Sequence, residues 1–115
     1  MSLAQTLGSQ TIDQAAIVSD ARQVAASIRA HSAPVRIILF GSAATGEFKI
    51  GSDLDLILIF TDLEAMRTAR AGIRRNGLLH KSIPVDLLFM TQDRFAQAKE
   101  HGGVCYIADK EGIDL

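Results

Sequence analysis

The chain has no tryptophan, a single cysteine and two prolines among its 115 residues, and aromatic side chains make up 5% of it. One cysteine, Cys105, excludes an internal disulfide, and its expected role is that of a small buried hydrophobic side chain. No long uninterrupted apolar run is present, so no membrane-spanning helix is expected. Together with the lack of a signal peptide, these features predict a cytoplasmic protein with no membrane association.

An excess of charge of either sign is also missing. The formal net charge is -1 and the pI is about 6.3. Dedicated nucleic-acid binders usually carry a basic excess, so nucleic acid is expected only as an acceptor held in a local groove. A hydrophobic content of 48% over this length predicts one domain, residues 1–115, with a core of its own.

What the chain does contain is a Gly-Ser pair after one apolar strand and an Asp-x-Asp pair at the start of the next. Ten residues separate Gly41-Ser42 from Asp53, and Asp55 completes the pattern. A third aspartate, Asp86, lies inside a later apolar run. Burying an unpaired carboxylate costs several kcal/mol, so aspartates in strand-like sequence point to a compensating cation.

Strand geometry indicates how the three aspartates could share that cation. Side chains two apart in a strand point to the same face, so Asp53 and Asp55 can reach a common ion or ion pair. If the strand that holds Asp86 lies beside theirs in matching register, a third carboxylate joins the same site. A site that offers oxygen ligands and leaves coordination positions open suits Mg²⁺, which also takes phosphate oxygens as ligands. Catalytic and metal-binding roles are therefore predicted for all three.

The Gly-Ser pair has the features of a phosphate-binding turn. Gly41 can adopt a positive φ or allow a phosphate close to the backbone, and Ser42 adds a hydroxyl donor. A short helical turn over residues 42–46 would point free N–H groups at an anion. Antiparallel pairing of the first two strands brings Ser42 near Asp53, whereas parallel pairing would separate them by about 20 Å. A mixed sheet is therefore expected.

The remaining pattern predicts an α/β fold in which helices pack on a small mixed sheet, with the element order αβ(turn)βαβα. Ser9 or Thr11 is expected to cap the first helix. Helices are predicted over 12–30, 63–76 and 91–100, with a further short helix after Gly102-Gly103 that runs to about residue 110, and strands over 35–40, 53–60, 83–90 and 113–115. The apolar stripe of the first helix is predicted to comprise Ile12, Ala15, Ala16, Val18, Val24, Ala25 and Ile28.

This constellation resembles the nucleotidyltransferase domain of the DNA polymerase β-like superfamily. The short chain is similar to its minimal nucleotidyltransferase branch, which includes antitoxins encoded beside HEPN-domain toxins. The resemblance runs from about residue 35 to residue 90, with an echo at Lys110-Glu111-Gly112-Ile113, where relatives often carry a similar Glu-Gly-aliphatic sequence. It implies magnesium-dependent transfer of a nucleoside monophosphate, usually AMP from ATP, to a hydroxyl.

The resemblance also assigns roles residue by residue. Asp53 and Asp55 would bind the metal ions, of which two are expected, and Asp86 would bind one of them and help to activate the acceptor hydroxyl. Gly41 with Ser42 would hold the triphosphate. One departure is that relatives commonly carry arginine in the segment matching residues 43–45, which reads Ala-Ala-Thr here. Lys49 is the nearest cation and is the expected substitute, although its ammonium group is a point charge and lacks the planar, two-pronged donor geometry of an arginine guanidinium.

The acceptor is left open by the sequence. The resemblance favours a partner protein, a HEPN-type toxin whose hydroxyl would receive AMP. Alternatives are a binding module that neutralises its partner by contact alone, and a transferase acting on a small molecule with a second subunit completing the cleft; an oligomer is possible. Arg67, Arg70, Arg74, Arg75 and Lys81 form a basic set, either a docking surface for a partner or RNA or an ordinary solvated face.

Overall fold

The computed structural model describes residues 12–76 and 83–115. Its helices are α1 (Gln14–His31), α2 (Ser42–Thr45), α3 (Leu63–Asn76), α4 (Gln92–Ala98) and α5 (Gly103–Glu111), and its strands are β1 (Arg36–Phe40), β2 (Leu54–Phe60), β3 (Val85–Thr91) and β4 (Ile113–Asp114). The predicted helices and strands are present with small shifts at their ends. The proposed caps of α1, Ser9 and Thr11, lie outside the described residues. Asp13 occupies the cap position without a side-chain hydrogen bond.

The four strands form one mixed sheet in the order β3-β2-β1-β4. β1 runs antiparallel to both β2 and β4, whereas β2 and β3 are parallel and are joined through α3. This confirms the predicted α/β fold and its mixed sheet. The arrangement also brings the end of β1 and the starts of β2 and β3 to the same end of the sheet.

Two hydrophobic clusters, one on each face of the sheet, hold the helices in place. α1 and α3 cover one face through a cluster that includes Ile17, Ala21, Val24, Ala25, Ile28, Ala69 and Ile73, together with Leu54, Leu56, Leu58 and Phe60 of β2. α4 and α5 cover the other face through Phe95, Cys105 and Ala108, packed with Ile38, Ile57 and Ile59. Cys105 is buried as predicted, with its Sγ 3.3 Å from Sδ of Met90.

The apolar stripe of α1 differs from the predicted one in its first turns. Val24, Ala25 and Ile28 are buried as expected, but Ala15 is exposed and the buried positions nearer the start are Ile17 and Ala21. Ile17 and Ala21 continue the three- and four-residue spacing of Val24, Ala25 and Ile28 toward the start of the helix, so the buried face is one regular stripe. Among the helices of the described ranges, none is long and apolar enough to cross a membrane.

β2 lies between β3 and β1 in the sheet, and helices cover both of its faces. All of its residues are buried except Asp55, which is half-buried. Strands covered on both faces are nearly continuous apolar runs, as this one is. A carboxylate in such a strand has no structural role in the core, which makes Asp55 the exceptional residue of the sheet.

Gly112 closes the domain by allowing α5 to turn tightly into β4. A Cβ at this position would collide with the backbone oxygen of Ala108 and with Cγ2 of Ile38. The Gly112 amide donates to that same Ala108 oxygen at 2.9 Å. The Glu-Gly-aliphatic sequence noted above therefore has a packing reason.

We expect Gly112→Ala to lower the free energy of unfolding by about 3 kcal/mol, because the added methyl group overpacks the junction of α5, β1 and β4. Gly72→Ala is the matched control. It lies in α3 with no atom within 4 Å of the added methyl group, so a gain of about 0.5–1 kcal/mol from helix propensity is expected. Urea titration of both variants measures the difference; equal stabilities would contradict the packing explanation.

Candidate active site

The Gly-Ser turn is formed by Gly41 and the short helix α2, and Gly46 caps the end of that helix. Gly41 has φ 75° and ψ -153°, a conformation that is essentially restricted to glycine. Its carbonyl accepts the amides of Ala44 and Thr45 at 3.1 and 3.2 Å. The amides of the first turn, on Ser42 and Ala43, have no partner within the helix. The predicted helical turn after Gly41 is therefore present, and we call residues 41–46 the glycine-serine turn.

A close approach between this turn and β2 explains why glycine is needed. Phe40, the last residue of β1, pairs with Asp55, so the next residue, Gly41, lies against that carboxylate. A Cβ on Gly41 would stand 2.6 Å from Oδ2 of Asp55. The sequence predicted that glycine would admit a phosphate; in the structure the space that a side chain would take at this position is next to the carboxylate of Asp55.

The aspartates converge as strand pairing predicts. Asp55 of β2 is the register partner of Asp86 in the parallel strand β3, and adjacent strands lie about 4.8 Å apart. Asp53 precedes β2 by one residue. Burial first, then the negative charges of Asp86 and Asp53, raise the pKa of Asp55 above its ordinary value. Both neighbours therefore act electrostatically on Asp55; we call these three residues the acidic trio.

The expectation that all three carboxylates are buried is wrong. Asp53 and Asp86 are exposed, and Asp55 is half-buried. The reason is that β3 lies at the edge of the sheet and that Asp53 lies just before β2, so only Asp55 is covered by neighbouring strands on both sides. The energetic argument from burial therefore applies to Asp55 alone.

No side-chain cation of the described ranges neutralises the trio. The ion pairs found there join Arg36 to Asp114 and Lys99 to Asp109. Within the same ranges, no three His, Cys, Asp or Glu side chains form a group that could already hold a metal ion. The trio is close enough for mutual repulsion, and its oxygen donors are those that Mg²⁺ prefers, but a shared ion would require the carboxylates to turn toward one another.

Lys49 is exposed, and within the described part of the chain its side chain has no hydrogen bond or ion pair. Its backbone forms a tight turn with Ser52, donating to the Ser52 hydroxyl at 3.2 Å and accepting the Ser52 amide at 3.0 Å. A role for Lys49 in binding phosphate thus stays a prediction. In the arginine-free segment, Ala43 is buried and Thr45 is exposed, so a side chain at residue 45 could reach a ligand whereas one at residue 43 could not.

Gln14 supports the glycine-serine turn, a role that sequence patterns did not reveal. Its Nε2 donates to the carbonyl oxygens of Ala44 at 2.7 Å and Ala43 at 3.4 Å, which ties the start of α1 to α2. Nearby, the Ile12 amide donates to the oxygen of Phe48, whose side chain is buried. The Gln14 contacts join residues 29 and 30 positions apart, and the Ile12 contact joins residues still further apart, so no local pattern indicates them.

The basic set lies away from the trio where its side chains are described. The Arg70 guanidinium stacks over the ring of Phe89 at 5.1 Å, and Arg67 is exposed on α3. α3 packs on the face formed by the odd-numbered residues of β3, opposite to Asp86. Lys81 lies outside the described residues, as do the side chains of Arg74 and Arg75.

Comparison with known proteins assigns this fold and site to a class. Residues 21–113 match the family model of the nucleotidyltransferase domain. The structure is similar to the 1.40 Å crystal structure of a candidate nucleotidyltransferase from Sulfolobus solfataricus, with a TM-score of 0.55 and 14% sequence identity over 88% of this chain and 80% of that one. At that identity the likeness concerns the fold. No curated protein matches the sequence.

The family match covers most of the chain, and the chain therefore belongs to the nucleotidyltransferase domain family. The proteins of this class are transferases that move nucleotidyl groups. The match includes the glycine-serine turn and the whole acidic trio.

Gly41→Ala is predicted to lower the free energy of unfolding by about 3 kcal/mol, because alanine is strained at this φ and ψ and its methyl group meets Asp55. Gly51→Ala is the control, since Gly51 also has a positive φ of 93° but has no atom within 4 Å of an added Cβ; about 1 kcal/mol is expected there. Denaturant titration measures both. Adding Asp55→Ala should recover part of the Gly41→Ala loss, and simple additivity would show that the contact with Asp55 is unimportant.

Asp55→Asn is predicted to stabilise the fold at neutral pH. Because the pKa of Asp55 is raised in the folded state, folding takes up a proton between the ordinary and the raised value, so stability increases as the pH falls through that window. Asparagine removes the charge at every pH. The gain at pH 7 should be below about 1 kcal/mol, or up to about 4 °C in Tm, since the group is partly solvated.

The gain should vanish at acidic pH, where the wild-type carboxyl is protonated as well. Thermal unfolding as a function of pH provides the measurement. Asp20→Asn, a half-buried aspartate on α1, is the control and should leave Tm nearly unchanged. A lower Tm for Asp55→Asn at pH 7 would mean that the charge stabilises the fold.

Proposed function

We propose that this protein is a magnesium-dependent nucleotidyltransferase that moves AMP from ATP to a hydroxyl group on a partner protein. The observation that carries the proposal is the pairing of Asp55 with Asp86 directly beside Gly41. Two carboxylates that no cation of the described ranges neutralises, next to a turn with free amides, are suited to a ligand that brings both cations and phosphates. The proposal places that ligand over the end of β1 and the starts of β2 and β3.

In this proposal the glycine-serine turn holds the phosphates of ATP. The amides of Ser42 and Ala43 have no helix partner, and the Ser42 hydroxyl has no hydrogen bond to any residue of the described ranges. Both are therefore available as donors. Gln14 and the buried Ala43 keep this turn fixed on α1 and β1, so it needs little reorganisation to bind.

Asp53, Asp55 and Asp86 would hold the metal. Mg²⁺, when bound, would supply charge stabilisation for the attacking and departing oxygens of an in-line displacement. In the chemical step the acceptor oxygen forms a bond to the α-phosphorus, the bond between that phosphorus and the bridging oxygen breaks, and pyrophosphate leaves. The hydroxyl proton passes to the carboxylate of Asp86, which is exposed and thus accessible to an acceptor.

The proposed acceptor is a protein, and the sequence resemblance favours a HEPN-type toxin. The acidic trio supports catalysis over a purely structural role, because the charge of Asp55 is disfavoured in the fold unless something neutralises it. The opposing candidate, a module that inhibits its partner by contact alone, draws on the absence of arginine from residues 43–45. Calorimetry separates the two, since only the transferase needs magnesium-dependent ATP binding.

We expect Asp55→Asn and Asp86→Asn each to reduce AMP transfer at least about a hundredfold, by removing metal ligands and, in Asp86→Asn, the proton acceptor. The assay combines the purified protein with the product of the adjacent reading frame, ATP and Mg²⁺, and follows the acceptor by intact mass. Asp93→Asn, an exposed aspartate on α4, is the control and should keep full activity. Wild-type activity in Asp55→Asn would remove this mechanism, and an unmodified acceptor together with no ATP binding would favour the contact-only module.

A further inference from the structure

β3 is an edge strand of the sheet, and its outer side is open within the part of the chain that the structure describes. The Leu54 amide donates to the Pro84 oxygen at 2.8 Å, so the backbone groups of the even-numbered residues of β3 face β2. Those of Val85, Leu87 and Phe89 then face outward, because successive residues alternate. The strand is seven residues long and contains neither lysine nor proline, which often protect an edge from pairing; Asp86 is its one charged residue.

The side chains near this edge combine acid and apolar character. Asp86 and Leu88 lie on the same face of β3, two residues apart. Both are exposed, and Leu88 is 41% exposed although it is a large apolar side chain. Met90, next on that face, packs against the cluster under α4 and α5. The apolar surface beside Asp86 is therefore left uncovered by the described helices.

In the proposed in-line displacement, the acceptor approaches the site from the β3 side. The glycine-serine turn follows β1 and Asp86 lies on β3, so the two flank Asp55 across about 10 Å, the width of two strand spacings. In an in-line transfer the nucleophile enters opposite to the leaving group. Pyrophosphate leaves at the glycine-serine turn, and the hydroxyl consequently enters from the β3 edge.

We propose that the acceptor is an extended polypeptide segment that adds as a strand to the outer edge of β3. A hydroxyl-bearing side chain lies level with Asp86, and an apolar side chain two residues away in the same segment covers Leu88. Main-chain hydrogen bonds to Val85, Leu87 and Phe89 set the register of this segment along β3. This inference rests on the proposed function and adds to it the conformation and the sequence pattern of the acceptor.

The charge of this region favours a polypeptide over RNA. The acidic trio would repel a phosphate backbone that crossed the β3 edge. The described cations of α3 are on the other face, where Arg70 stacks on Phe89. A peptide, by contrast, meets free backbone donors and acceptors together with an apolar contact.

The docking step is tested by amide hydrogen exchange without relying on catalysis. The probe is a short synthetic peptide with tyrosine and leucine two positions apart, between valine and threonine residues, and the control peptide has the two residues three positions apart. The first peptide is expected to slow exchange at the amides of Val85, Leu87 and Phe89, and the second to have little effect. No slowing with either peptide, or equal slowing with both, would overturn the proposal.

A pair of variants isolates the contact with Leu88. Leu88→Glu should weaken binding of the first peptide about tenfold, because a charge replaces the apolar contact. Leu63→Glu, at a leucine that is 47% exposed at the start of α3, should leave it unchanged. An equal effect of both substitutions, or none of either, contradicts the assignment. Binding of ATP with Mg²⁺ should be the same in both variants.

The remaining outcomes separate docking from chemistry. Protection of β3 without AMP transfer supports the docking and counts against the proposed function. Transfer to hydroxyls with no protection of β3 and full activity in Leu88→Glu overturns the docking and leaves the function standing. Protection that rises with protein concentration in the absence of peptide would assign the edge to a second copy of the chain, and protection by single-stranded RNA alone would assign it to nucleic acid; either result overturns the proposal.

Discussion

The repulsion between Asp55 and Asp86 is the interaction on which the site depends. Parallel pairing of β2 with β3 sets these carboxylates at the same level of neighbouring strands, and the surrounding core reduces the solvation of Asp55. A stable fold would ordinarily avoid this arrangement. A cation between the two groups would offset this cost, and the proposed magnesium-dependent transfer would supply one.

The glycine-serine turn is also fixed by the core, since it packs on β1 and α1 and is not part of an exposed loop. Gly41 follows β1 directly and leaves no room for a side chain beside Asp55, and Ala43 is buried within the turn. Gln14 joins the turn to α1. The glycine-serine turn, which follows β1, and the acidic trio, with Asp86 on β3, therefore lie on one packed frame. Within the described ranges the outer side of β3 is open, and in the proposed transfer the acceptor would enter from this side.

The fold and the convergence of site residues could be predicted from the sequence because both depend on short patterns. Strand alternation, the Gly-Ser pair and the spacing of the aspartates can all be read from short stretches of sequence. If the Gly-Ser pair and the aspartates belong to one site, β1 and β2 must pair in antiparallel fashion. The degree of burial could not be obtained in this way. Asp86 is flanked by apolar residues in the sequence but lies on an edge strand, and edge position depends on the order of the whole sheet. The support from Gln14 depends on a contact between distant segments. The first half of α1 contains several apolar residues, and only packing against the sheet selects Ile17 and Ala21 among them.

The central claim is that Asp55 is held in a site that requires a cation, and its carboxyl titration tests this most directly. Carbon-detected NMR of the aspartate side chains gives the pKa of Asp55 in the wild-type protein and in Asp86→Asn, with and without Mg²⁺ and a non-hydrolysable ATP analogue. We expect a raised pKa in the free protein, a partial return toward the ordinary value in Asp86→Asn, and a marked decrease when Mg²⁺ and the nucleotide bind. An ordinary pKa that responds neither to Asp86→Asn nor to Mg²⁺ would contradict the account.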